Sequence, residues 1–133
     1  MRVAKAVLAI GVALLLTAAA ASAHHSFAAE FDADKPVKLV GTVTKIEWTN
    51  PHAWFYIDVM DDSGKVANWG WELGSPTSLV RLGWSRNALK VGEVVTVEGS
   101  RSRDGSNTAN TRSITLNRTG QKLFGASSQG QSQ

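Results

Sequence analysis

The three histidines are the residues of this chain best suited to bind a metal ion, and they lie in two places. His24 and His25 follow the tripeptide Ala-Ser-Ala, and His52 follows an Asn-Pro pair. Cleavage after Ala23 would give His24 a free α-amine beside its own imidazole. A metal displaces the proton of such an amine near neutral pH, and the amine and Nδ1 then form a chelate. With His25 or His52 as a third nitrogen ligand, the donor set favours Cu(II).

The same histidines also have a structural interpretation. Two adjacent histidines at a chain start can be solvated, and His52 can bond to backbone groups of its turn. We expect a metal site if His24 or His25 comes within coordination distance of His52. A buried His52 bonded to backbone favours a structural role instead. A soft Cu(I) site is not expected, because the chain has no cysteine and only Met60 beyond the initiator.

Aromatic side chains form the second candidate site. The chain has five tryptophans and one tyrosine, and strand periodicity places Trp54 and Tyr56 on one predicted strand and Trp69 and Trp71 on the next. In oligonucleotide/oligosaccharide-binding (OB) barrels, the face of these two strands binds ligands by aromatic stacking. We therefore predict that these four side chains bind a small molecule, a glycan or a partner protein. The alternative is that Trp69 and Trp71 belong to the core.

The acidic residues give no catalytic motif. Asp61 and Asp62 lack the spacing of a calcium loop and indicate a solvated turn. Glu72 could neighbour Arg81 or Lys45, and the sequence leaves open whether it forms a structural pair there or belongs to a site. No serine or threonine has the surroundings of an activated nucleophile, and no glycine-rich phosphate loop is present. We expect a binding protein rather than an enzyme; a copper enzyme acting at the N-terminus is the less favoured alternative.

Alternating apolar residues predict an all-β fold. Ala53, Phe55, Ile57 and Val59 should face the core, and a glycine within the long first strand should mark a bend. Ser75-Pro76 predicts the start of a short helix. Three strands, a helix and two strands match the five-stranded OB-like barrel, and an open β-sandwich remains the alternative. The predicted strands are Val37–Thr49, Ala53–Met60, Val66–Leu73, Val94–Gly99 and Thr108–Leu116, with a short edge at Gln121–Phe124.

The ends of the chain predict export. Residues 1–23 have the basic start, short apolar stretch and small-residue cleavage site of a secretory signal peptide. Residues 24–36 then form an arm, residues 37–124 the barrel, and residues 125–133 a Gly/Ser/Gln-rich tail expected to be disordered. Without the signal peptide, basic and acidic residues nearly balance, so nucleic acid is not an expected partner. No later apolar stretch predicts a membrane anchor, and we expect a periplasmic or secreted protein.

Several motifs resemble those of a family of short exported bacterial proteins of unknown function. The most specific is Asn-Pro-His-Ala-Trp at residues 50–54. The resemblance implies an exported OB-like barrel and no established activity, so it transfers no catalytic residues. The chain is also loosely similar to periplasmic bacterial OB-fold proteins that bind small ligands. Further matching motifs are His-His-Ser-Phe at 24–27, Gly-Thr-Val-Thr-Lys-Ile-Glu-Trp-Thr at 41–49, Glu-Leu-Gly-Ser-Pro at 72–76, Gly-Trp at 83–84, Leu-Lys-Val-Gly-Glu at 89–93 and Asp-Gly-Ser at 104–106.

Overall fold

The structure is a computed structural model that describes residues 27–127. The predicted signal peptide, His24, His25 and residues 128–133 lie outside this range. Residues 27–30 are helical and belong to a separate compact unit that ends at Glu30. The remaining elements are β1 (Phe31–Glu47), β2 (Trp54–Met60), β3 (Val66–Glu72), α1 (Pro76–Arg81), β4 (Val94–Ser102), β5 (Thr108–Leu116) and β6 (Lys122–Phe124).

Five of the strands form a closed ring. The sheet order is β3-β2-β1-β4-β5-β6, and β3 also pairs with β5. This last pairing is parallel and joins Gly70–Glu72 to Thr108–Asn110, whereas the other pairings are antiparallel. A five-stranded barrel with a helix between its third and fourth strands is the OB arrangement. The predicted fold class is therefore confirmed, and the open sandwich is not formed.

The long strand β1 joins the two halves of the barrel. It pairs with β4 from Phe31 to Thr42 and with β2 from Thr42 to Glu47. Gly41 lies where the partner changes, and a Cβ there would collide with the carbonyl oxygen of Asp58. A side chain is thus excluded at the point where the strand passes from one partner to the other.

Two predicted boundaries differ from the structure. β1 begins at Phe31, so residues 31–36 of the predicted arm belong to the barrel, and a register shift between Asp32 and Pro36 accommodates the proline. At the other end, the first residues of the predicted disordered tail are held by backbone bonds. Gly125 donates to the carbonyl of Arg112 at 3.0 Å, and its own carbonyl accepts from Gly74 at 2.7 Å.

The core fills the inside of the barrel with the alternate residues of each strand. Phe55 and Ile57 of β2 are fully buried, as their alternation predicts. Leu79 is the buried residue of α1, and Ser75 caps this helix by accepting from the backbone of Ser78. Within residues 27–127, none of the helices combines the length and apolar character needed to cross a membrane.

Candidate functional site at His52 and Glu72

The loop between β1 and β2 holds His52 beside the end of β3. The Thr49 hydroxyl donates to the His52 carbonyl at 2.8 Å, and the Asn50–Pro51 peptide bond in this loop is cis. On the other side of His52, both backbone groups of Ala53 bond to the two residues that follow β3. Ala53 donates to the Gly74 carbonyl at 3.0 Å and accepts from Leu73 at 2.9 Å. Hydrogen bonds on both sides therefore fix the backbone at His52.

The His52 side chain contacts the carboxylate of Glu72. Nδ1 of His52 lies 3.3 Å from Oε1 of Glu72. The imidazole is 43% exposed, whereas the carboxylate side chain is only 9% exposed. A carboxylate this close to Nδ1 favours the tautomer with hydrogen on Nδ1, which leaves the lone pair of Nε2 available to a ligand.

A buried asparagine supports the carboxylate from the neighbouring strand. Asn110 is fully buried, and its Nδ2 donates to Oε1 of Glu72 at 3.3 Å. The parallel pairing of β3 with β5 sets Glu72 and Asn110 opposite each other. A pairing of Glu72 with Arg81 or Lys45 does not occur among the contacts of the described residues. Lys45 instead pairs with Glu47, because β1 carries both side chains on the outside of the barrel.

His52 and Glu72 line a small cleft. The cleft has a volume of about 200 Å³. Its polar lining contains the imidazole, the Glu72 carboxylate and the hydroxyl-bearing residues Ser75, Ser78 and Ser127. Ser75 and Ser78 are joined to each other by a 2.9 Å bond between their hydroxyls. The cleft can therefore offer a ligand a nitrogen lone pair and oxygen atoms at one end of the barrel.

This arrangement supplies only part of a metal site. In zinc and copper sites, a carboxylate that accepts from one ring nitrogen of a histidine orients the other ring nitrogen toward the metal. His52 and Glu72 have this relation. However, residues 27–127 contain no group of three His, Cys, Asp or Glu side chains that could hold a metal ion.

The four aromatic residues predicted to bind a ligand are divided between two faces. Trp69 and Trp71 are 8% and 0% exposed, and the Trp71 ring stacks on Phe55 with centroids 6.3 Å apart. The register pairs Phe55 with Trp71, and directly paired residues share a face. The prediction that Trp69 and Trp71 line a groove with Trp54 and Tyr56 is therefore wrong. They are core residues.

Trp54 and Tyr56 lie on the outer face and are half-buried. Their rings lie close to Gly70, where an added Cβ would come within 3.2 Å of Tyr56 Cε1. The Lys45 ammonium lies 5.4 Å from the Tyr56 ring centroid. These two aromatic rings therefore cover a bare stretch of β3, and part of their surface remains accessible to solvent.

The acidic turn has local partners. Asp61 Oδ1 accepts from the hydroxyl and backbone of Ser63 and from the backbone of Lys65. These bonds, that of the Ser63 side chain above all, lower the pKa of Asp61. Asp58 accepts from Nδ2 of Asn68 at 2.9 Å. Both carboxylates stabilise the β2–β3 hairpin, and Asp61 lies in the turn that the sequence indicates.

Comparison with known proteins gives a family and several solved structures, including a PriB domain and a TiaS mutant. No curated protein matches the chain. The N-terminal domain of PriB protein from Thermoanaerobacter tencongensis is 24% identical with a TM-score of 0.45, and the match covers 62% of this chain and 96% of that one. A ZRD-deleted mutant of TiaS, solved with agmatine, is 25% identical with a TM-score of 0.42. That match covers 73% of this chain and 24% of the TiaS chain.

A protein-family model matches most of the chain. The model of a family of unknown function, DUF6152, matches residues 12–112. This range runs through β1, β2, β3, α1 and β4 into β5 and includes His24, His25, His52 and Glu72. The chain belongs to the family of unknown function DUF6152.

Proposed function

We propose that this protein is a non-catalytic binding protein of the bacterial cell envelope that binds Cu(II). The α-amine and imidazole of His24 form the chelate, and His25 or His52 provides a further nitrogen ligand. Three nitrogen donors in a planar arrangement suit Cu(II) better than the other common divalent metals. No step of this proposal requires a substrate or a catalytic group.

The contact between His52 and Glu72 is the observation that supports this proposal. A histidine that merely shaped its loop would have no need of a buried carboxylate, since the loop backbone is already fixed by Thr49 and Ala53. The carboxylate fixes the tautomer of the imidazole and restricts its rotation. The 43% exposure of the side chain leaves room for a metal ion at Nε2.

Export is part of the proposal, because the chelate requires a free amine on His24. Signal peptidase cleavage after Ala23 would create that amine. The sequence supports this cleavage through the basic residues Arg2 and Lys5, the apolar stretch that follows and the Ala-Ser-Ala tripeptide. The mature protein is then periplasmic or secreted.

A second candidate function is an OB-type module that binds a small molecule, glycan or partner protein on its outer aromatic face. The half-exposed rings of Trp54 and Tyr56 favour it. It now rests on two aromatic residues instead of four, because Trp69 and Trp71 are in the core. Two rings offer a ligand less stacking surface than four, so this candidate is the weaker of the two.

The test is a Cu(II) titration of the mature protein followed by electron paramagnetic resonance, in which nitrogen hyperfine splitting reports the number of nitrogen ligands. We expect one equivalent of Cu(II) in a site with three nitrogen ligands. His25→Ala and His52→Ala variants identify the third ligand, since only the true ligand's loss changes the spectrum. A site with no histidine-dependent signal would contradict the proposal. Binding of oligosaccharides that Trp54→Ala abolishes would favour the second candidate.

A further inference from the structure

A second groove lies between α1 and the β5–β6 edge of the sheet. It adjoins the His52 cleft, with which it shares Ser78, Ala126 and Ser127. Its volume is about 430 Å³. Arg81 and Arg112 contribute charged side chains, and Leu82, Phe124 and Ala126 contribute apolar ones. We call it the arginine groove. Neither the predicted metal site nor the aromatic face includes these residues.

The two arginines of the groove lack acidic partners among the described residues. Some other basic residues of the barrel have acidic partners, such as Lys38 with Glu98 at 3.1 Å and Arg103 with Asp32 at 3.6 Å. No carboxylate within residues 27–127 lies within ion-pair distance of Arg81 or Arg112. A guanidinium stays charged at any physiological pH. The groove therefore presents two positive charges that an anion can neutralise.

The wall next to these charges contains two exposed apolar side chains. Leu82 and Phe124 are 54% and 56% exposed. Large side chains this exposed lose hydrophobic free energy unless something covers them. A ligand that satisfies both features has an anionic group and an apolar body in the same molecule.

The backbone around the groove is held in place by non-local contacts. A Cβ on Gly125 would collide with the carbonyl oxygen of Thr111, so this segment lies directly on β5. The Trp84 indole donates to the Phe124 carbonyl at 3.0 Å. Trp84 itself is buried, so it holds the Phe124 backbone from the inside, and Phe124 lines the groove. A groove with such a support binds without first having to order its own wall.

We propose that the arginine groove binds a small organic carboxylate with an apolar body. The carboxylate pairs with the guanidinium groups of Arg81 and Arg112. The apolar body covers Leu82 and Phe124. This binding is independent of copper and of the proposed function, and it needs neither the N-terminal histidines nor His52.

The experiment uses octanoate as the probe and follows the indole N–H signal of Trp84 by two-dimensional NMR. This signal reports the groove because the indole N–H bonds to the Phe124 carbonyl. 1-Octanol has the same chain without the charge, and acetate has the charge without the chain. We expect octanoate to shift the signal saturably, with an affinity at least tenfold above that of octanol and of acetate. Equal affinities for octanoate and octanol would overturn the proposal.

Paired variants test the role of the two arginines. Arg81→Gln/Arg112→Gln should reduce octanoate affinity at least tenfold, to the level of octanol. The matched control Arg86→Gln/Arg118→Gln removes the same charge from exposed residues outside the groove and should leave affinity within twofold. An equal loss in both variants would show a general charge effect and overturn the proposal. If the first variant does not fold, the comparison of octanoate with octanol on the unchanged protein still decides.

Discussion

Replacing Glu72 with glutamine tests whether the carboxylate prepares His52 for a metal. Glutamine keeps the volume and can still bond to Asn110, but it removes the negative charge and can offer an N–H to the imidazole. That N–H would favour hydrogen on Nε2 and block the ligand position. Loss of such a partner typically weakens metal binding about 10- to 100-fold, which is roughly 1.4 to 2.7 kcal/mol.

The geometry of the contact favours the lower end of this range. The 3.3 Å separation is long for a charge-assisted bond, and the imidazole is 43% exposed and so partly screened by solvent. We therefore expect about a tenfold loss of Cu(II) affinity in Glu72→Gln. The assay is a competition titration against a chelator of known affinity at fixed pH.

The control for this variant is Asp58→Asn, which removes a carboxylate from the exposed side of the same hairpin. Asp58 bonds to Asn68 and does not contact His52. Its replacement should leave Cu(II) affinity unchanged. If Glu72→Gln also binds Cu(II) as tightly as the parent protein, His52 is not prepared by Glu72, and the argument from this contact is refuted.

Three further predictions concern the fold that carries the site. Ser75→Ala removes the cap of α1 and should lower the free energy of unfolding by about 1 kcal/mol, measured by denaturant titration. Gly99→Ala places a Cβ against the carbonyl oxygen of Asn110, and a loss of about 3 kcal/mol is expected in the same assay; an unchanged midpoint would contradict the close approach. The bond from Lys38 lowers the pKa of Glu98, so Lys38→Ala should raise it in an NMR titration. The lowered pKa of Glu98 stabilises the folded protein at neutral pH, and this stabilisation is lost as acid protonates Glu98. Lys38→Ala should therefore lower the free energy of unfolding at neutral pH and change it little in acid.

The strands could be predicted because their residues alternate. Phe55 and Ile57 point inward as the two-residue period requires. The order of three strands, a helix and two strands matched the OB barrel but left an open sandwich as the alternative, and the pairing of β3 with β5 decided between them. The start of β1 at Phe31 could not be predicted, because Pro36 looks like a strand boundary and only the register shift beside it keeps the pairing with β4.

The placement of Trp69 and Trp71 was predictable in part from the hairpin. The five residues 61–65 connect Met60 to Val66, which are opposite each other in the structure. Counting back from that pair sets Ile57 opposite Trp69 and Phe55 opposite Trp71. Connection length fixes which residues share a face. The length was visible in the sequence, and it favours the alternative that placed both tryptophans in the core.

The partners of Glu72 could not be predicted from any local pattern. His52 reaches Glu72 from the loop between β1 and β2. Asn110, 38 residues from Glu72 in the chain, reaches it through the parallel pairing of β3 with β5. Register across a barrel closure depends on how all five strands fit together. The sequence shows the residue types, but which of them are in contact depends on the pairing of β3 with β5 that closes the barrel.

The most direct test of the account is Cu(II) titration of two forms of the mature protein. One has a free amine on His24, and the other carries an acetyl group on that amine. The acetyl group leaves every side chain in place and removes the amine nitrogen as a ligand, so that the amine–imidazole chelate cannot form. The account predicts that the form with the free amine binds Cu(II) at least 100-fold more tightly. Equal affinity of the two forms would contradict it.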